Sequence, residues 1–202
     1  MEEKIYNKIH FLIQYPINFN NKKKYPLIIH IHGAGGRGKD IELLKGAGPV
    51  KELLKGRKLN AIVVAPQCYS DTWFDIYSQL LEFINFCIGN KNVDKQRVSL
   101  SGISMGGYTC YQLLMTMPLT FYRAIICCGG GMYWNGARIK TPVKAFHGKL
   151  DQTVYPEESE KMVKAITSGG TYAQLTIYDD LAHNVWDRVY SNNETYKWLL
   201  GE

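Results

Sequence analysis

The sequence predicts an α/β fold, a mostly parallel central sheet with helices on both faces. Three observations carry this. Runs such as Leu27-Ile28-Ile29-His30-Ile31 and Ala61-Ile62-Val63-Val64-Ala65 are apolar on both faces, as the buried strands of parallel sheets are. Segments with apolar residues at helical spacing alternate with these runs. Several runs end in glycine-rich turns, such as His32-Gly33-Ala34-Gly35-Gly36. Ligands of open α/β sheets bind beyond the carboxyl ends of the strands, so chemistry is expected there.

The elements follow in order. Residues 4–15 are rich in strand formers, and Pro16 through Lys24 reads as a hairpin-like connection. The 27–31 strand comes next. Asp40 can cap a helix running to about Lys55, interrupted by Gly46, Gly48 and Pro49. The 61–65 strand is stopped by Pro66. Apolar positions Ile76, Leu80, Leu81, Ile84 and Ile88 predict a helix over 76–88. Val98–Ser101 is a strand, Met105–Met117 an amphipathic helix closed by Pro118, and Ala124–Cys128 a strand before three glycines. Val143–Phe146 is a strand ending in His147-Gly148. Pro156–Ile166 is a helix stopped by Gly169-Gly170, Leu175–Tyr178 a last strand, and 193–200 a C-terminal helix. Neither a repeat nor a linker is visible, so residues 1–202 are expected to form a single domain.

Composition narrows the class. Charged residues make up 21%, near the ~25% of ordinary globular chains, which excludes low complexity. The excess of 24 Lys+Arg over 18 Asp+Glu is scattered, and its one run, Lys22-Lys23-Lys24, reads as a solvated turn. A nucleic-acid partner is therefore not expected. The five cysteines are odd in number and include an adjacent pair but no C-x-x-C, which argues against a disulfide framework and a zinc site. Reduced thiols suit a cytoplasmic protein. No apolar run approaches the ~18 residues of a membrane span, and Met1-Glu2-Glu3-Lys4 does not open a signal segment.

Gly102-Ile103-Ser104-Met105-Gly106 fits G-x-S-x-G between a strand and a helix, the context in which a tight turn lifts a serine hydroxyl above the sheet edge. The alternative is a plain strand-to-helix turn with Ser104 as a helix cap. A serine hydroxyl needs a base, and in such folds the chain order is Ser, Asp or Glu, His. Only His147 and His183 follow Ser104. His183 lies in a loop between the last strand and the C-terminal helix, so it is the expected base. His147 and His32 are expected to brace backbone at their strand ends, and His10 and His30 to be structural. The acid is expected at Asp151, just past a strand, 47 residues after Ser104 and 32 before His183. Asp179, Asp180 and Asp187 compete only by composition.

An oxyanion would need preorganised N–H donors. One is the N–H of Met105, at a helix N-terminus. A second is expected from the loop 32–38. That loop also contains G-x-G-x-x-G at Gly33, Gly35 and Gly38, but the acidic residue of a dinucleotide site is missing after the second strand, where Val64-Ala65-Pro66-Gln67 stands. No cofactor and no metal are expected.

The motifs H-G-A-G-G (32–36), A-P-Q-C (65–68), G-I-S-M-G-G-Y (102–108), H-G-K-L-D-Q-T-V (147–154) and A-H-N-V-W-D (182–187) together resemble the α/β-hydrolase superfamily. Within it the chain is similar to small serine esterases and predicted peptidases near the phospholipase/carboxylesterase, dienelactone-hydrolase and feruloyl/acetylxylan-esterase groups. The likeness runs from about Pro26 to Leu199. It implies the α/β-hydrolase fold, with Ser104 as nucleophile, Asp151 as acid, His183 as base, and Ala34 and Met105 as oxyanion donors. Dienelactone hydrolases carry a cysteine where Ser104 stands, so a lactone specialist is not expected. Between Gly131 and Thr141 there is room only for a loop, so no sizeable lid is expected, nor activity on long-chain fat.

Trp73, Phe74, Tyr133, Trp134 and Trp186 fall in loops at the strand ends. At least one of Trp73, Trp134 and Trp186 is expected to face substrate, the alternative being that they plug loops against the core. The activity expected is hydrolysis of short-chain acyl or carbohydrate-linked esters through an acyl-enzyme, by a monomer or small homo-oligomer. A peptidase or amidase on the same three residues, and a non-catalytic binding protein, are the other readings.

Overall fold

The computed structural model describes all of residues 1–202. Its strands are β1 (Glu2–Tyr6), β2 (Ile9–Gln14), β3 (Tyr25–Ile31), β4 (Ile62–Pro66), β5 (Val93–Ile103), β6 (Ala124–Cys127), β7 (Val143–Gly148) and β8 (Ala173–Tyr178). They form one sheet in the order β1-β2-β4-β3-β5-β6-β7-β8. β1 and β2 are antiparallel to their neighbours, and β3 to β8 are parallel.

The first strand segment, continuous in the sequence pattern, splits in two. Asn7 and Lys8 adopt φ 43° and 71°, the two positive angles of a tight hairpin turn. Tyr6 then pairs with Ile9. The Pro16–Lys24 stretch is accordingly not a hairpin. It crosses from β2 to β3, with β4 lying between them in the sheet.

Helices α1 (Gly48–Leu54), α2 (Tyr77–Gly89), α3 (Met105–Thr116), α4 (Pro156–Ser168), α5 (Trp186–Ser191) and α6 (Asn193–Leu200) cover both faces. Alternation along β3 shows how. Leu27, Ile29 and Ile31 pack on one side with Leu80, Phe83 and Ile84 of α2, Leu113 and Leu114 of α3, and Met162 and Ile166 of α4. Ile28 packs on the other side with Val189 of α5 and Leu199 of α6. Every residue of β3 and β4 is buried, which is why those strands carry no polar alternation. Burying each large aliphatic or aromatic side chain contributes about 1.5–3 kcal/mol.

The segment after Asp40 is a 3₁₀ turn (Ile41–Gly46) followed by α1, not one helix. The Asp40 carboxylate caps it by accepting from the Glu42 N–H at 3.1 Å. Gly48, with φ 65°, and Pro49 force the break. Between β6 and β7 lies only a loop with a 3₁₀ turn (Tyr133–Arg138), and there is no lid. No helix is long and apolar enough to cross a membrane.

Candidate active site

The C-terminal ends of β3, β5, β7 and β8 hold the motifs. β5 ends at Ile103, and α3 begins at Met105. Ser104, between them, has φ 52° and ψ −121°, a region that L side chains rarely occupy and that strains the backbone. The turn is tight because its flanks lack side chains. A Cβ on Gly106 would run into the Ile31 carbonyl, and one on Gly102 into Cys110 Sγ and the Gly106 carbonyl.

Three side chains distant in sequence meet here. His183 Nε2 lies 2.8 Å from Ser104 Oγ, and His183 Nδ1 lies 2.7 Å from Asp151 Oδ2. The Asp151 side chain is fully buried. Its other oxygen accepts from the N–H groups of Thr153 at 2.9 Å and Val154 at 3.0 Å. Burial raises the carboxyl pKa. The hydrogen bonds from His183, Val154 and Thr153 outweigh it and leave the group below its ordinary value. An acceptor anion therefore faces His183 Nδ1, which directs the proton to Nδ1 and leaves Nε2 to accept from Ser104.

His32 shapes the facing loop. Its Nε2 accepts from the Cys68 N–H at 2.9 Å, so Nδ1 carries the proton and donates to the Gly33 carbonyl at 2.6 Å. Burial holds this imidazole down to about 4, hence neutral. Pinning the Gly33 carbonyl turns the opposite end of that trans peptide, the Ala34 N–H, away from His32. Neither the Ala34 nor the Met105 N–H donates to any protein acceptor. The loop sits against the serine, since a Cβ on Gly33 would lie 3.3 Å from Ser104 Cβ.

Support around Asp151 was only partly legible in the sequence. His147 Nε2 faces the Val154 carbonyl at 2.8 Å and Asp151 Oδ2 at 3.2 Å, so it braces both backbone and acid. Cys128, at φ 49°, donates its thiol to the His183 carbonyl at 3.0 Å. No sequence signal pointed to it. The metal-ligating atoms of Cys128, His147 and Asp151 lie within 4.8 Å of one another. Burial, and then the Asp151 charge, push the Cys128 thiol up to about 12. The thiol donates to the His183 carbonyl, His147 Nε2 to the Val154 carbonyl, and Asp151 accepts from His183, Thr153 and Val154, so the trio reads as packing around the carboxylate.

The three tryptophans part company. Trp186 lines a cavity of about 480 Å³ together with His30, Ala34, Leu43, Ile103 and Ser104, and its ring meets His183 edge-on at 5.3 Å. Trp73 is fully buried and donates its indole N–H to the His32 carbonyl at 3.1 Å. It plugs the loop after β4 against the core and offers no face to a ligand, which corrects the sequence expectation. Trp134 is 68% exposed in the 3₁₀ turn after β6 and lines neither this cavity nor the groove formed by Phe74, Tyr77, Tyr108 and Met132.

Comparison with known proteins bears on family and fold. Residues 64–196 match the model of the phospholipase/carboxylesterase family. A thermostable esterase of known structure shares 29% identity, with a TM-score of 0.82 over 96% of this chain and 59% of that one. Est1E from Butyrivibrio proteoclasticus, 15% identical, has the same fold with a TM-score of 0.74 over 99% of this chain and 97% of its own. A Schizosaccharomyces pombe protein named as a dipeptidyl aminopeptidase is 24% identical over 194 residues, covering 78% of this chain and 23% of that protein. The chain thus spans 59% and 23% of the length of two of these relatives. With strand order, elbow and motif order all in place, the chain belongs to the phospholipase/carboxylesterase family of α/β-hydrolases.

Proposed function

We propose that the chain is a serine carboxylic-ester hydrolase that works through an acyl-enzyme on short-chain acyl or carbohydrate-linked esters. The observation that carries this reading is the unbroken chain Asp151–His183–Ser104, at 2.7 and 2.8 Å, facing two unpartnered N–H groups. Ser104 Oγ attacks the ester carbonyl as its proton passes to His183 Nε2. The Asp151 carboxylate stabilises the imidazolium. Ala34 and Met105 N–H receive the oxyanion, and one such donor is worth roughly 10²–10³ in rate. His183 then returns the proton to the leaving alcohol. Water, deprotonated by the same nitrogen, attacks the acyl-enzyme and frees Ser104. A cavity of about 480 Å³ is within the ~300–1,000 Å³ usual for small-molecule sites.

Hydrolysis of a p-nitrophenyl acetate series by the wild type, alongside Ser104→Ala, tests this. Loss of activity and of fluorophosphonate labelling in the variant is expected. Equal rates for the two proteins would end the proposal. The yeast relative supports a second reading, a peptidase on the same three residues. A peptide-amide panel run beside the esters separates them, and the ester reading expects the esters to turn over faster.

A further inference from the structure

His30 is a histidine where the neighbouring strand positions are aliphatic. It points to the face of the sheet occupied by Ile28, and its ring lies edge-on to Tyr190 at 5.5 Å. It is 2% exposed. Its Nδ1 is taken by Ser101 Oγ at 3.0 Å, and Ser101 in turn meets the Tyr190 hydroxyl at 2.6 Å. Its Nε2 has no protein partner, yet it is not among the atoms sealed from solvent, and the ring lines the cavity that opens at Ser104. The residue abutting Nε2 is Gly48, at φ 65°, and a Cβ there would overlap that nitrogen. Glycine takes this backbone angle without strain, and its missing side chain leaves the nitrogen uncovered.

We propose that this cavity is a subsite for hydroxyacyl groups, with His30 Nε2 hydrogen-bonding a hydroxyl on the acyl chain. The inference rests on the ester-hydrolase reading and adds a substrate class to it. Apart from the polar side chains of His32, Ser104, Thr153 and His183, the rest of the lining is glycine backbone or apolar, with Leu43, Leu44, Ile103 and Trp186 among it, so an aliphatic chain has apolar surface to lie against. A hydroxyl both donates and accepts, and so it satisfies Nε2 whichever way the Tyr190–Ser101–His30 hydroxyl chain is oriented. Burial, and then the neighbouring His32, hold His30 down to about 3. The ring is neutral at working pH and gives no charge to hold a carboxylate. A wholly aliphatic acyl chain would strip water from Nε2 and return nothing, the situation in which hydrogen-bonding sites discriminate against analogues lacking the group.

The experiment compares kcat/KM for p-nitrophenyl esters of 3-hydroxybutyrate and 6-hydroxyhexanoate with those of butyrate and hexanoate, and with the half-ester of succinate. The wild type is expected to prefer at least one hydroxyacyl ester over its deoxy partner by about 10-fold or more. His30→Phe is expected to lose that preference, its ratio of hydroxyacyl to deoxy kcat/KM falling to about one whatever its absolute rate. A wild type without preference at either position, or one favouring the succinate half-ester, overturns the proposal. Turnover of acetate without hydroxyl preference leaves the ester reading standing and removes only the subsite. Binding of 6-hydroxyhexanoate against hexanoate to Ser104→Ala, read from tryptophan fluorescence, tests the subsite without turnover. Tighter binding of the hydroxy acid supports the subsite, and equal binding refutes it.

Discussion

Ser104 and Asp151 are each held in a costly state by the groups packed around them. Ser104 is kept in a strained conformation by a turn with no room to relax. Asp151 is a buried anion kept ionised by donors from Thr153, Val154 and His183. Asp151→Asn preserves shape but presents an N–H to His183 Nδ1 and favours the wrong tautomer. The expected outcome is a fall in kcat on the order of 10⁴ on p-nitrophenyl acetate with little change in KM. Asp151 also contributes to stability with a defined sign. Its pKa is lower folded than unfolded, where a free Asp sits near about 3.9. The contribution is therefore complete above that value and drains as pH falls through the folded one. Urea midpoints measured at pH 5 and pH 3 should drop more steeply for wild type than for Asp151→Asn.

At the scale of elements, α2 shows why periodic helices read well and why short pieces do not. Leu80, Phe83, Ile84 and Cys87 of α2 are buried at helical spacing. Phe83 meets Phe11 of β2 edge-on at 5.0 Å. Phe83→Ala removes a fully buried ring and is expected to cost about 3–5 kcal/mol in urea unfolding. Two turns of regular spacing made α2, α3 and α4 legible in the sequence. The six residues of α5 gave no such pattern. The hairpin at Asn7–Lys8 was hidden because it lacks glycine, and pairing with β4 decides it. The site followed the same division. Ser104, Asp151 and His183 announced themselves by motif and chain order. Trp73 did not, because its inward turn depends on the His32 carbonyl, 41 residues away. Cys128 acts only through a contact that the folded chain creates.

Across the whole molecule, the triad is drawn from unequal ground. Ser104 follows β5, which is paired on both sides near the middle of the sheet, whereas His183 follows β8, the last strand, paired only to β7. No residue of β8 is fully buried. Loosening this border withdraws His183 from Ser104 while the buried strands stay intact, because proteins open piecemeal from their least protected parts. In a urea titration, the proposed activity on p-nitrophenyl acetate should vanish at a lower concentration than the far-ultraviolet dichroism does. Coincident midpoints would show that the margin melts only with the interior. A margin that opens first lets the protein lose activity reversibly under mild stress, recovering when β8 re-docks, with no need to refold from a disordered chain.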